Sequence, residues 1–345
     1  MAQERTTRLV ATLGPASLRP AVLRSFAPQG VDLLRLNLSH VALGDLEDTL
    51  RTARVHSHLP LCLDTEGAQV RVGLVATGVA LRVGQPVRLV REKALGTERQ
   101  LSLRPETLFD TLEPGATVAV DETVLRVAVV EDGRATAIVV VGGRVRSNRP
   151  VVLDPVPALP ALTDKDRTAV DVAAAAGVNH FTLGYAASAA GVEELRALVP
   201  PGAHVLARID SRAGADRRAE ILAAADTVVV GRGHLAAELP IEQVPFLQKA
   251  IAREGVEAGT PVWAATGRTG GHAIATASVA EANDVANLLL DGVSGLVLTG
   301  ETAVGSDPFG AVERVSRLLA GFEEKVSAIA ALDDPVGASG RPGPP

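Results

Sequence analysis

The sequence predicts a parallel α/β fold, a TIM-type (β/α)8 barrel with a small all-β domain inserted after its third strand. Three observations predict it. Short apolar runs alternate with helical stretches three times within the first 65 or so residues. From about Gly73 to Pro155 the texture changes to period-two segments broken by Gly and Pro turns. Helical patterning then resumes, and five more apolar runs complete a set of eight.

In order, Arg8–Leu13 reads as a strand ending in a G-P-A-S turn, and Pro20–Phe26 as a short amphipathic helix. Asp32–Leu36 is a second strand and Asp45–Val55 a helix with Leu46, Leu50 and Ala53 on one face. Leu61–Leu63 is the third strand. The insert shows strands at Val79–Val83, Pro86–Val90, Thr117–Val120, Val124–Val130 and Ala135–Val141. Thr163 is a good N-cap, with Asp166 three residues on in the manner of a capping box, and Gly177 ends that helix. Phe181–Leu183, Val205–Ile209, Val228–Val230, Val262–Ala264 and Gly295–Leu298 are the remaining strands. A last helix from Pro308 sets Phe309, Val312, Val315, Leu318, Leu319 and Phe322 on one face. The expected domains are 5–72 with 156–328 for the barrel and 73–155 for the insert. Residues 331–345, rich in Pro and Gly, are expected to be disordered.

Composition narrows the function. A 345-residue chain with 47% hydrophobic and 21% charged residues builds a large core without staples. A net charge of −6 argues against a nucleic-acid partner. The single Cys62 allows no internal disulfide and suits a reducing cytoplasm. The first residues hold no apolar signal region, and no run reaches membrane-span length. Only four of the 34 basic residues are lysine.

The chemistry centres on Val205–Gln243. Two apolar runs there flank a helical segment. The first stops at Arg208 and Asp210, the second at Arg232 and His234. The C-terminal ends of barrel strands are where chemistry sits. A cation, a carboxylate and an imidazole at those ends suit a metal ion and an anionic substrate.

The pattern A-R-I-D … I-L-A-A-A-D-T-V-V-V-G-R-G-H-L-A-A-E-L-P-I-E-Q-V-P resembles the pyruvate kinase family. So do V-A-T-L-G-P-A-S, L-L-R-L-N-L-S-H, L-D-T-E-G-A-Q-V-R-V-G, L-P-A-L-T-D-K-D, A-E-A-N-D-V-A-N-L-L-L-D-G and L-T-G-E-T-A-V-G, in that order. The likeness covers residues 5 to about 325 and stops before the C-terminal α/β domain that such kinases usually carry, so that regulatory domain is expected to be absent. It implies phosphoryl transfer between phosphoenolpyruvate and ADP, a divalent Mg2+ or Mn2+ ion, K+, and a cytoplasmic enzyme. A homodimer through the barrel helices stays open.

The resemblance also implies roles. Arg35 would contact the transferring phosphoryl group, as a guanidinium fork can. Asn37, Ser39, Asp64 and Thr65 match a potassium site. His40 and Arg71 match the nucleotide side, and Thr266 and Gly233 the substrate. Arg208 stands at the charge-neutralising catalytic position, and Asp210 and His234 at the divalent-metal positions.

The departures cluster here. Arg208 replaces Lys, Asp210 replaces Glu, and His234 replaces Asp. Gln69 stands for the usual Glu near the potassium site, and G-Y-A-A (Gly184–Ala187) for S-F-V-R. The loop after Thr266 becomes T-G-R-T-G-G-H, with Arg268 and His272, and Val279 replaces an Arg. Imidazole disfavours Mg2+ and suits softer metals. Three readings follow: a divergent pyruvate kinase, a repurposed barrel enzyme for a pyruvate-like or phosphorylated acid, or a non-catalytic binding or regulatory protein.

Overall fold

The computed structural model describes residues 5–157, 159–266 and 277–333. They form two compact units: the chain up to Glu66 together with the chain from Asp164 onward, and Gly67–Thr163.

In the first unit, eight strands among the described residues close into a barrel. They are Arg8–Leu13, Leu33–Asn37, Leu61–Asp64, His180–Leu183, His204–Ile209, Thr227–Val230, Val262–Ala265 and Gly295–Leu298. Every neighbouring pair is parallel, from Val10 against Leu33 round to Arg8 against Gly295. Parallel strands covered on both faces read as continuous apolar runs, and Thr227–Val230 is buried throughout.

Local chemistry sets the helix starts. Pro20 opens Pro20–Phe26, where a missing N–H costs nothing. Ser188 caps Ala189–Leu198 by accepting the Gly191 N–H. Ser278 and Glu281 form a capping box at Val279–Leu290. Asp164–Ala175 starts directly after Thr163, as expected, and the buried Asp166 carboxylate accepts the Glu66 N–H at 2.6 Å. The last helix, Pro308–Asp333, corrects one expectation: Phe309 is 48% exposed, while Ala311, Val312 and Leu319 are buried. At about 100° per residue Phe309 and Ala311 fall on opposite sides of Val312, and the core takes the Ala311 side. Residues 334–345 of the tail lie outside the described residues. No described helix is long and apolar enough to cross a membrane.

The second unit is a closed, mostly antiparallel barrel with a Val and Leu core. Pro86–Val90 and Thr117–Val120 fall where the sequence places them. Val70–Val72, Gln100–Arg104 and Pro150–Asp154 are further strands. Val70–Val72 pairs with the other two and so belongs to the Gly67–Thr163 unit.

The N-terminal end of the first barrel carries a histidine pair. His180 and His204 are register partners with ring centroids 5.4 Å apart. His204 Nε2 lies 2.9 Å from Thr227 Oγ1. Burial pushes both imidazoles below their usual range; each also feels a neighbouring cation or the other ring, and Asp226 opposes the shift at His204. Their neutral forms are therefore favoured in the folded state. The stability they contribute is present above about pH 6.5 and is lost as pH falls below it. The unfolding temperature should drop between about pH 7.5 and 5.5, and drop less in His180→Gln/His204→Gln. Equal slopes in the two proteins would refute this.

Candidate functional site

The C-terminal strand ends surround a cavity of about 470 Å3. Its floor is the inner apolar layer of the barrel, including Val10, Leu206, Val229 and Val297. Leu33 and Trp263 line both this cavity and a second one of about 460 Å3 beside the histidine pair. Cys62 also lines the upper cavity, but burial pushes its thiol up to about 12, so it is no nucleophile near neutral pH.

Four charged side chains make a buried layer here. Arg35 and Arg208 are 7% and 5% exposed, and Asp64 and Asp210 fully buried. Arg35 pairs with Asp64 and donates to Thr12 Oγ1 at 2.9 Å. Arg208 bridges the two carboxylates: its NH1 is 3.1 Å from Asp64 Oδ2 and its Nε 2.7 Å from Asp210 Oδ2. The Nε contact is an ion pair rather than an aligned hydrogen bond. Burial alone would lower the Arg208 pKa, but Asp210 and Asp64 hold it above the ordinary arginine value. Burial likewise opposes ionisation of Asp210, and Arg208, then His234, hold its carboxyl below the usual range.

Two glycines make this layer possible. A Cβ on Gly231 would lie 1.6 Å from Asp210 Oδ1, and one on Gly184 would lie 2.9 Å from Arg208 NH2. Tyr185 follows Gly184 with φ 51°, in the left-handed region that non-glycine residues rarely adopt. That backbone turn directs its N–H to Asp210 Oδ2 at 3.3 Å. The Tyr185 ring meets the His234 ring edge-on, with centroids 5.2 Å apart.

His234 lines the cavity with Nδ1 3.3 Å from Asp210 Oδ1, and Gly233 lines it too. Arg232 does not join this set, contrary to the strand-end reading. Its guanidinium holds Asp284 at 2.6 and 2.8 Å and the Ala265 carbonyl at 3.0 Å, tying helix to helix. Thr266 lines the cavity and donates to Val297 O at 3.2 Å and to Glu301, which Thr299 also contacts.

The potassium-type residues come together. Asn37 and Asp64 are register partners, and Asn37 Oδ1 accepts the Ser39 N–H at 3.0 Å. Thr65 Oγ1 accepts the Gly184 N–H at 3.0 Å. Asp64 Oδ1 is buried without a hydrogen bond. A buried carboxylate oxygen without a hydrogen bond is a donor of the kind a hard monovalent cation takes. Nearby, Lys165 Nζ holds Leu38 O at 2.7 Å and Glu66 Oε1 at 2.8 Å.

A divalent ion fits less well. Mg2+ wants near-octahedral oxygen donors. Of the two metal positions, Asp210 has one oxygen paired with Arg208, and the other, buried without a hydrogen bond, lies 3.3 Å from an imidazole nitrogen where an oxygen donor would be wanted. Among the described residues, no group of three or more His, Cys, Asp or Glu side chains could hold a metal ion. The donor set does not fit Mg2+.

The sequence-predicted Arg35, Asn37, His40, Asp64, Arg208, Asp210, Gly233, His234 and Thr266 all line one cavity. Arg71 lies in the second unit, donating to Gln69 Oε1 and to the Asn148 carbonyl, each at 2.7 Å. Gly267–Gly271, with Arg268, and His272 lie outside the described residues. Sequence reasoning missed Thr12, Tyr185 and Glu301. Glu301 stood in the quoted L-T-G-E-T-A-V-G and Tyr185 in the altered G-Y-A-A, so the signal was a polar or aromatic residue just past a strand.

Comparison with known proteins agrees with this architecture. The family model described as pyruvate kinase, barrel domain, matches residues 4–312. A pyruvate kinase of Methylorubrum extorquens is 33% identical over 330 residues, spanning 92% of this chain and 69% of that protein. One of Mycobacterium tuberculosis is 32% identical over 337 residues, spanning 94% and 71%. The crystal structure of Cryptosporidium parvum pyruvate kinase superimposes with a TM-score of 0.87 at 27% identity, covering 99% of this chain and 75% of that one. The motifs in order, the barrel with its inserted unit, and these matches together place the chain in the pyruvate kinase family.

Proposed function

We propose that this chain is a pyruvate kinase-type phosphotransferase that holds a phosphoenolpyruvate-like acid between Arg35, Arg208 and Thr266 and passes its phosphoryl group to ADP. The observation that carries the reading is the meeting of two buried guanidinium groups on Asp64 in the wall of the cavity. Guanidinium forks neutralise and orient a phosphoryl group in flight. A nucleotide oxygen attacks phosphorus, the bond to the enol oxygen breaks, and the enolate takes a proton to become pyruvate. Arg208 stabilises charge but releases no proton, so that proton arrives from water or another side chain. The nucleotide is assigned to the His40 side of the cavity, and Mg2+ enters as part of the nucleotide substrate. K+ is assigned to Asn37, Ser39, Asp64 and Thr65.

A second reading, an acid-binding protein without transfer, is favoured by one observation: Arg208 is tied to both Asp64 and Asp210. A coupled assay of pyruvate formation from phosphoenolpyruvate and ADP, with K+ and with Mg2+, Mn2+, Co2+ or Zn2+, separates the two. The expected result is turnover that needs both substrates. Its rate should lie on the order of 10²–10³-fold below the roughly 10 s⁻¹ typical of enzymes, the cost of losing one well-placed charge donor. No turnover from folded protein removes transfer and leaves the second reading.

A further inference from the structure

We infer that the acid is held in this cavity without a divalent cation, against the Arg35 and Arg208 guanidinium groups rather than against a metal ion at Asp210 and His234. The inference rests on the acid-binding part of the reading above and is independent of transfer. Two observations carry it. Asp210 Oδ2 is already 2.7 Å from Arg208 Nε, and the second metal position presents an imidazole 3.3 Å from the other oxygen. The guanidinium also has a built seat. Gly184 stands where the family sequence usually has Ser, and a Cβ there would lie 2.9 Å from Arg208 NH2 and 2.4 Å from the Thr65 carbonyl.

The geometry also names the ligand chemistry. A guanidinium has five N–H donors in a plane, and Arg208 turns NH1 and Nε toward carboxylates. Arg35 and Arg208 both line the cavity, and guanidinium forks suit a small planar anion carrying two adjacent oxygens, such as a carboxylate beside a carbonyl or enolate oxygen.

Oxalate is the probe. Its binding would be followed on the whole chain by calorimetry and by thermal shift, in EDTA and in Mg2+ or Mn2+. Free Mn2+ would be read by electron paramagnetic resonance, with and without oxalate. Oxalate should bind with the same affinity in EDTA as with metal, and protein should leave the free Mn2+ signal unchanged. Gly184→Ser should weaken oxalate binding in EDTA by about tenfold, or about 1.4 kcal/mol. Oxalate binding that appears only with a divalent ion, or one Mn2+, Co2+ or Zn2+ bound per chain and lost in Asp210→Asn, overturns the inference. No oxalate binding in either medium overturns it together with the acid-binding reading. Oxalate bound in EDTA by a protein without turnover removes transfer alone and leaves the inference standing.

Discussion

Arg208→Met should cost about 3–5 kcal/mol of unfolding free energy, the usual loss when one partner of a buried ion pair is removed. Methionine nearly fills the volume, so the loss is electrostatic rather than a cavity effect. Asp64 keeps Arg35 as a partner, whereas Asp210 keeps only the Tyr185 N–H and the Nδ1 side of His234. The uncompensated charge therefore falls on Asp210, which is fully buried. Urea denaturation of the wild type, Arg208→Met and Arg208→Met/Asp210→Asn checks this. The double variant should recover more than half of the loss, because neutralising Asp210 removes the orphaned charge. A loss below about 1 kcal/mol in the single variant would show that solvent reaches Asp210 freely.

The Gly231→Ala variant should be strongly destabilising for the addition of a single methyl group. The added Cβ would sit 1.6 Å from Asp210 Oδ1, far inside van der Waals contact. Gly231 follows the strand Thr227–Val230, and its N–H is bonded to Ile209 O at 2.9 Å, so the backbone has little room to retreat. Asp210 must swing away, which breaks its approach to Arg208 and the Tyr185 N–H together. Overpacking costs about 1–3 kcal/mol in a typical core, and the lost ion pair adds to that. Oxalate affinity should fall in parallel, because Arg208 loses one of the two groups that aim it. The Gly231→Ala/Asp210→Ala protein should be no less stable than Asp210→Ala alone. If the two losses simply add, the methyl acts somewhere other than on the carboxylate.

Much of the barrel was legible because its strands are short apolar runs that end in polar residues, a pattern local enough to read directly. Gly295–Leu298 and Pro20–Phe26 fall where the sequence sets them. The second unit was read less completely. Val70–Val72 has only three residues and owes its strand to pairing with Gln100–Arg104 and Pro150–Asp154. Long-range pairing of that kind leaves little local signature. The capping box at Ser278 and Glu281 stands in the sequence as S-x-x-E, a signal short enough to occur widely by chance. In the site, the resemblance marked Arg208, Asp210 and His234 as departures from the family pattern. It did not show that Arg208 would lie across both Asp64 and Asp210, because side-chain reach depends on Gly184 and Gly231 being bare.

The partition formed by Leu33 and Trp263 has a practical consequence. The sequence contains a single tryptophan, and it is 8% exposed. Its indole faces the ligand chamber on one side and the histidine end of the barrel on the other. The chain thus carries its own fluorescent reporter between two compartments. Emission shifts on adding an acid would arise from above the ring, and shifts on protonating the histidines from below it, with no label attached.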